Sequence, residues 1–171
     1  RKYYGKAIYH KLIPSALSEL DPDREYIPTT PFSDDGREHN LPHSGTLHNW
    51  TVWNHYGDRN EYEPPRERCP RFAAEFGLQS VPGPEALSAF GLRTDVAVGT
   101  YRLEKHNYQP GGIQRMARYM ADEFAPAGDL QRFAWQSQVT QARAVRQYVE
   151  YLRTHRDRNS GCLVWTWNEP V

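Results

Sequence analysis

RFAAEFGLQS, residues 71–80, places a single carboxylate, Glu75, inside an otherwise apolar run: Phe72-Ala73-Ala74 precede it and Phe76-Gly77-Leu78 follow it. A short apolar run of this kind reads as a buried strand. An unpaired carboxylate is costly to bury and would otherwise shift its pKa strongly, so Glu75 needs partners. Two readings meet that need. In one, Glu75 is a structural acid paired with Arg66, Arg68 or Arg71. In the other it is a catalytic acid or nucleophile at the end of a strand, where barrel enzymes place their reacting groups. Gly77, two residues on, lets the chain turn sharply after it.

Working outward, the chain alternates helical and strand-like segments. Ile8, Leu12, Ala16 and Leu20 recur at helical spacing, with Pro14 expected to kink or break that helix and Asp21-Pro22 to close it. Residues 25–30, EYIPTT, read as a short strand cut off by Pro31. Residues 33–47 form a long loop, and HNWTVW, 48–53, has the β-branched and aromatic content of a strand. Alternation along it, and along 162–167, sends one Trp inward and the other outward. After a polar loop and RFAAEFG, the chain turns mostly helical. PEALSAFG has Pro and Gly at the proper ends of a brief helix. Ile113, Met116, Met120 and Phe124 form a stripe ended by Pro126. Asp129 is a good N-cap for a long helix whose apolar face is expected at Leu130, Phe133, Ala142, Val145, Val149 and Leu152. Asn159-Ser160-Gly161 makes a turn before CLVWTW, 162–167, an apolar run of the kind buried in parallel sheets. The pattern is part of a parallel α/β architecture. Four strands are too few to close a (β/α)8 barrel, which takes roughly 250 residues.

The 171 residues suffice for one domain. Lys plus Arg and Asp plus Glu both total 21, so net charge is zero; that lacks the basic footprint of a nucleic-acid or anionic-membrane binder. No apolar run reaches the ~20 residues of a membrane span. The start, RKYYGKAIYH, has no signal-peptide layout and no initial Met, so any targeting segment would lie elsewhere. Cys69 and Cys162 belong to no CxxC pair; they read as two free thiols, which leans the compartment toward the cytoplasm. Asn49-Trp50-Thr51 fits a glycosylation sequon but falls in a strand-like run, where a glycan is awkward, and is taken as coincidence.

Few other constellations carry chemistry. His39, His43, His48 and His55 have no fixed ligand spacing, and Pro42 and Gly45 break any helix that would align them, so no metal site is expected. Gly111-Gly112 lacks the preceding strand of a phosphate loop, and no GxSxG elbow occurs. No cofactor is expected. Trp, Tyr, Asn, Gln and His together suit a sugar-binding surface and equally an ordinary core.

Four stretches together resemble the β-mannosidases of glycoside hydrolase family 2. Ala74-Glu75-Phe76-Gly77-Leu78-Gln79-Ser80 is similar to the family's nucleophile segment, Ser-Glu-Phe-Gly-hydrophobic-Gln-Ser. LDPDREYIPTTPFS, 20–33, resembles Leu-Asp-Pro-x-Arg-x-Tyr-x-Pro-Ser-Ser-Pro. Gly45, His48, Trp50 and Trp53 resemble Gly-Asp-x-His-x-Trp-x-Val-Trp, and GCLVWTWNEP resembles the run on the last barrel strand. These landmarks stand in family order along nearly the whole chain. The resemblance implies that residues 1–171 are the C-terminal half of a (β/α)8 TIM barrel, strands five to eight being YIPTTP, HNWTVW, RFAAEFG and CLVWTW. It implies a retaining exo-glycosidase in which Glu75 attacks the anomeric carbon of a terminal β-mannoside. His48, Trp50 and Trp165 transfer as substrate contacts by motif; Asn168 and Tyr56 transfer less directly. Departures stand at Ala74 for Ser, at Thr46 where the family has Asp, and at the Asn168-Glu169-Pro170-Val171 end.

Retention requires a second carboxyl about 5–5.5 Å from the first. In the family it belongs to an Asn-Glu pair closing strand four. Asn60-Glu61 and Asn168-Glu169 fall in the wrong places, so the resemblance puts the acid/base before Arg1. The expectation is a fragment that needs the N-terminal half of its own barrel and is inactive alone. The competing readings are a related family 2 enzyme acting on β-galactosides, β-glucuronides or β-glucosaminides, a non-catalytic carbohydrate-binding domain, and a purely structural α/β domain.

Overall fold

The computed structural model describes residues 5–33, 35–36, 38–54 and 62–166. Three parallel strands form one sheet in sequence order: β1 (Leu47–Asn49), β2 (Ala73–Phe76) and β3 (Cys162–Val164), with β2 in the centre. Parallel neighbours require crossovers. The second one holds α3 (Pro84–Ala89), α4 (Tyr101–Lys105), α5 (Gly112–Met120) and the 25-residue α6 (Leu130–Thr154). The expected parallel α/β class is therefore present.

Strand β2 carries one residue more than either neighbour. Leu47 pairs with Ala73 but His48 pairs with Glu75; Ala73 pairs with Cys162 but Phe76 with Val164. This bulge breaks the two-residue alternation of a regular strand. Ala73 and Phe76 are both fully buried, while Ala74 and Glu75 between them are partly exposed. Phe76 packs edge-on against Tyr148 of α6 at 4.7 Å and against Tyr62 at 6.4 Å. The Tyr62 hydroxyl donates to the Gly77 carbonyl at 2.9 Å, fixing the turn that follows. That turn is closed from the other side by β3. Trp165 N–H donates to the Phe76 carbonyl at 2.9 Å, and a Cβ on Gly77 would sit 2.4 Å from the Trp165 carbonyl oxygen.

Helix α6 starts at Asp129, whose carboxylate accepts from Arg132 N–H at 2.7 Å, as the N-cap reading expects. Leu130, Phe133 and Leu152 are buried as predicted, but Ala142 is exposed and Val145 and Val149 are only partly covered. The buried stripe runs instead through Ser137, Thr140, Ala144, Tyr148 and Tyr151. Polar residues sit there because the segment after β2 has backbone groups to satisfy. Ser137 Oγ accepts from Val81 N–H at 3.0 Å, Gln138 donates to the Val81 carbonyl at 2.9 Å, and Gln141 donates to the Leu78 carbonyl at 2.6 Å.

Three further expectations need correction. Residues 25–30 form no strand. With Pro28 and Pro31 lacking N–H groups, pairing is confined to an isolated antiparallel bridge between Phe32 and Thr46. HNWTVW leaves the sheet at Asn49, whose side-chain oxygen accepts from Thr51 N–H at 3.3 Å and starts the single helical turn α2 (Thr51–Asn54). The 8–20 helix is not broken by Pro14. A π-helical stretch, Ile8–Leu12, precedes α1 (Ile13–Leu20) and accommodates the proline ring. Strand β3 is also less covered than its apolar sequence suggests, since Leu163 and Trp165 are each 57% exposed. Cys69 and Cys162 are both free, and burial raises both thiol pKa values. Asn49 is buried, which disposes of the sequon.

Burial pushes the phenols of Tyr62 and Tyr148 well above the ordinary tyrosine range. Above about pH 10 the unfolded chain releases those protons first, so stability falls as pH rises. The expected result is a thermal midpoint that declines steeply past about pH 10 and declines less in Tyr148→Phe, measured by thermal unfolding across alkaline pH.

Candidate active site

Glu75 sits at the C-terminal end of the central strand, and its partners come from β1 and the residue just after it. Trp50 Nε1–H donates to Glu75 Oε2 at 3.1 Å, and His48 Nδ1 lies 3.3 Å from the same oxygen. Both side chains thus converge on Oε2. The carboxylate keeps about a fifth of its surface exposed and His48 slightly less, so the pair is shielded but open to a ligand. Arg66, one of the expected salt-bridge partners, pairs instead with Asp157. The acid is met by His48 of β1 and Trp50 just after it rather than by that guanidinium.

Local backbone chemistry explains why Trp50 reaches back. The turn begun by Asn49 takes the chain out of the extended state just as Trp50 is reached. Val52 and Trp53 are then directed into the core, where Trp53 stacks with Tyr119 at 6.2 Å and carries Arg115 over its ring at 4.7 Å. One tryptophan faces the core and the other the carboxylate, as expected. The cause is a helical turn and not strand alternation.

His48 is fixed from its other side. Its Nε2 lies 2.8 Å from Thr30 Oγ1, and Thr30 Oγ1 accepts from Thr46 Oγ1 at 3.2 Å. Thr46 Oγ1 in turn accepts from Phe32 N–H at 2.9 Å. The His48 main-chain N–H donates to Asn40 Oδ1 at 2.7 Å, and Asn40 adopts a positive φ of 68° to present it. Gly45, at φ +63°, allows Thr46 this close to Phe32: a Cβ on Gly45 would fall 1.8 Å from the Phe32 carbonyl oxygen. Thr30, Asn40 and Thr46 were not singled out as site residues from the sequence. The one available signal was Thr46, which stands where the resembling family carries Asp.

Of the other expected site residues, Trp165 lies across the Gly77 turn from Trp50. The Trp50 ring is 3.7 Å from the position of a Gly77 Cβ and the Trp165 carbonyl is 2.4 Å from it. The Trp165 side chain is exposed. Tyr56 and Asn168, with both Asn-Glu dipeptides, lie outside the described residues. Of the four histidines, His55 lies outside the described residues, His39 Nδ1 accepts from Ser33 N–H at 3.2 Å, His43 lies 3.4 Å from Asp35, and His48 faces Glu75.

The arrangement offers one carboxylate with an anchored oxygen and a second oxygen, Oε1, that no described residue holds. Beside it are an imidazole and an indole N–H. Such a group can act as an oriented nucleophile or as a hydrogen-bond acceptor for a polyhydroxylated ligand.

No protein-family model matches the chain. Among curated proteins it is similar to Beta-mannosidase B of Aspergillus flavus and of Aspergillus fumigatus. Each is 30% identical over 169 residues, which is 96% of this chain and 20% of the relative. Among solved structures it is similar to the beta-D-mannosidase of Dictyoglomus thermophilum, with a TM-score of 0.85 and 31% identity over 99% of this chain and 20% of that one. The chain therefore spans about a fifth of the length of the relatives it matches.

Gly45→Ala is expected to expel Thr46 from its bridge with Phe32 and to release His48. It should destabilise the protein by about 1–3 kcal/mol, from added strain at positive φ and a clash with backbone. Hydrogen exchange at the Thr46 amide, which donates to the Phe32 carbonyl at 2.8 Å, should accelerate beyond that of the β2 amides. Equal protection in both proteins would show that Gly45 is not the constraint.

Proposed function

We propose that this chain, similar along nearly all of its length to β-mannosidases, carries the nucleophile of a retaining exo-β-mannosidase. The observation that carries the reading is the convergence of Trp50, which donates, and His48, at 3.3 Å, on Glu75 Oε2 at the end of the central parallel strand. A carboxylate so held has its remaining oxygen aimed and its rotamer fixed before substrate arrives, which is what attack at an anomeric carbon needs.

In this reading Glu75 Oε1 displaces the aglycone from the anomeric carbon of a terminal β-D-mannoside. A new ester bond joins sugar and carboxylate, and the leaving oxygen takes a proton from a second carboxylic acid. That acid, now a carboxylate, draws a proton from water as the water cleaves the ester and returns Glu75. The second carboxyl would come from outside these 171 residues, about 5–5.5 Å from the first. Trp165 would offer its exposed face to the sugar's C–H groups, and His48 and Trp50 would line the subsite. Tyr56 and Asn168 join by resemblance.

The same reading assigns the fold. In it YIPTTP, 26–31, with strands β1, β2 and β3 would stand as strands five to eight of a (β/α)8 barrel, and residues 1–171 as its C-terminal half. The rest of the barrel would pair with the free edge of β3. Activity would then require the remainder of the enzyme, and the substrate would be a β-mannoside-containing oligosaccharide.

Labelling the full-length protein that carries this segment with a 2-deoxy-2-fluoro-β-mannosyl fluoride, followed by peptide mapping, tests the reading. The expected result is sugar on the RFAAEFGLQS peptide at Glu75, and a loss of at least about 10³-fold in kcat for Glu75→Gln with its thermal midpoint retained. Turnover of mannosides with the label on another peptide would overturn the assignment of Glu75. Turnover of β-galactosides or β-glucuronides in preference to β-mannosides would overturn the sugar assignment and leave the nucleophile standing.

A further inference from the structure

A chain of hydrogen bonds backs the His48 ring. The Phe32 N–H can only donate, so Thr46 Oγ1 accepts from it at 2.9 Å and is left to donate to Thr30 Oγ1 at 3.2 Å. Thr30 Oγ1 in turn lies 2.8 Å from His48 Nε2, so the hydroxyls link the ring to the Phe32 main chain. On the other side of the ring, Nδ1 lies 3.3 Å from Glu75 Oε2, the same oxygen that Trp50 Nε1–H reaches at 3.1 Å.

We infer that Thr30 and Thr46 are positioning residues of the site: their hydroxyls form a hydrogen-bonded relay from the Phe32 main chain that holds the His48 ring against Glu75 Oε2 and leaves Oε1 for attack. The relay also accounts for why the 25–33 segment lies where it does although it forms no strand. The Phe32–Thr46 bridge, permitted by Gly45, is what brings Thr30 within reach of the ring.

This inference rests on Glu75 being the nucleophile, and the test separates the two. The rate constant and binding constant for inactivation by 2-deoxy-2-fluoro-β-mannosyl fluoride are measured on the full-length protein and its variants, with thermal unfolding as a control. Thr30→Val, which keeps the shape and removes the hydroxyl, is expected to slow inactivation about 10- to 100-fold while changing the binding constant less than about threefold. Thr30→Ser should recover most of the rate, and Thr46→Val should slow inactivation in the same sense but less. A Thr30→Val rate equal to wild type overturns the relay, as does a Thr30→Ser protein as slow as Thr30→Val, which would mark a packing role. Should Thr30→Val fail to fold, Thr46→Val decides: a wild-type rate there overturns the relay. A wild-type protein that takes no label at Glu75 overturns the nucleophile reading itself, before any variant is compared.

Discussion

The extra residue in β2 is the constraint on which the site depends. A regular strand through Ala73-Ala74-Glu75-Phe76 would put Glu75 on the face of Ala73, which is fully buried. The bulge lets Ala73 and Phe76 both enter the core and moves Glu75 to the partly exposed side, in register with His48. The apolar run and the acid are thereby compatible. Phe76 anchors the strand between Tyr62 and Tyr148, and Glu75 avoids the penalty of a buried, unpaired charge. Everything else described at the site, including the Gly77 turn and the approach of Trp165, is built on that one departure from alternation.

What could be read from residues alone followed the range of the interactions involved. Asp129 as an N-cap and the Pro and Gly ends of α3 are contacts within a turn, and they stand as expected. The buried face of α6 does not. Its register was set by apolar spacing, whereas Ser137, Gln138 and Gln141 turn inward because Leu78 and Val81 offer unpaired backbone groups more than fifty residues away. Polar residues at helical spacing look like a solvent face until the loop they serve is placed against them. Residues 25–30 failed for a different reason: their strand propensity was real, but two prolines left too few donors for a ladder.

The site divides in the same way. Glu75, His48 and Trp50 were legible because they lie in short motifs, and the structure brings those three together. That grouping needs no long-range information beyond the pairing of β1 with β2. Thr30, Asn40 and Thr46 were not legible as site residues, since each meets His48 through a loop closure rather than through spacing. Thr46 was visible as a departure from the resembling family's Asp. Its role could not be read from that, because the meaning of a hydroxyl in place of a carboxylate depends on which neighbours it bonds. Here those neighbours are a main-chain N–H and another hydroxyl, and a carboxylate at Thr46 would bring a second negative charge into the network that holds Glu75.

The uneven burial of the sheet bears on how much of an active site these strands supply. One edge of β2 is covered by β1 and the other by β3, yet Leu163 of the third strand and Trp165 just after it are left more than half exposed. The Ile8, Leu12 and Leu20 side chains of the first helix are also turned outward, with no buried residue along its length. An edge strand with large apolar side chains is an aggregation hazard in a free domain and an ordinary feature of a strand awaiting its neighbour. On the proposed reading, the two requirements coincide. A retaining site needs an acid opposite Glu75, across the gap that a sugar ring occupies, and the free edge of β3 is where a further barrel strand would have to pair. The surface that makes this segment incomplete as a fold would then be the surface that makes its chemistry incomplete, and a single docking event would remedy both.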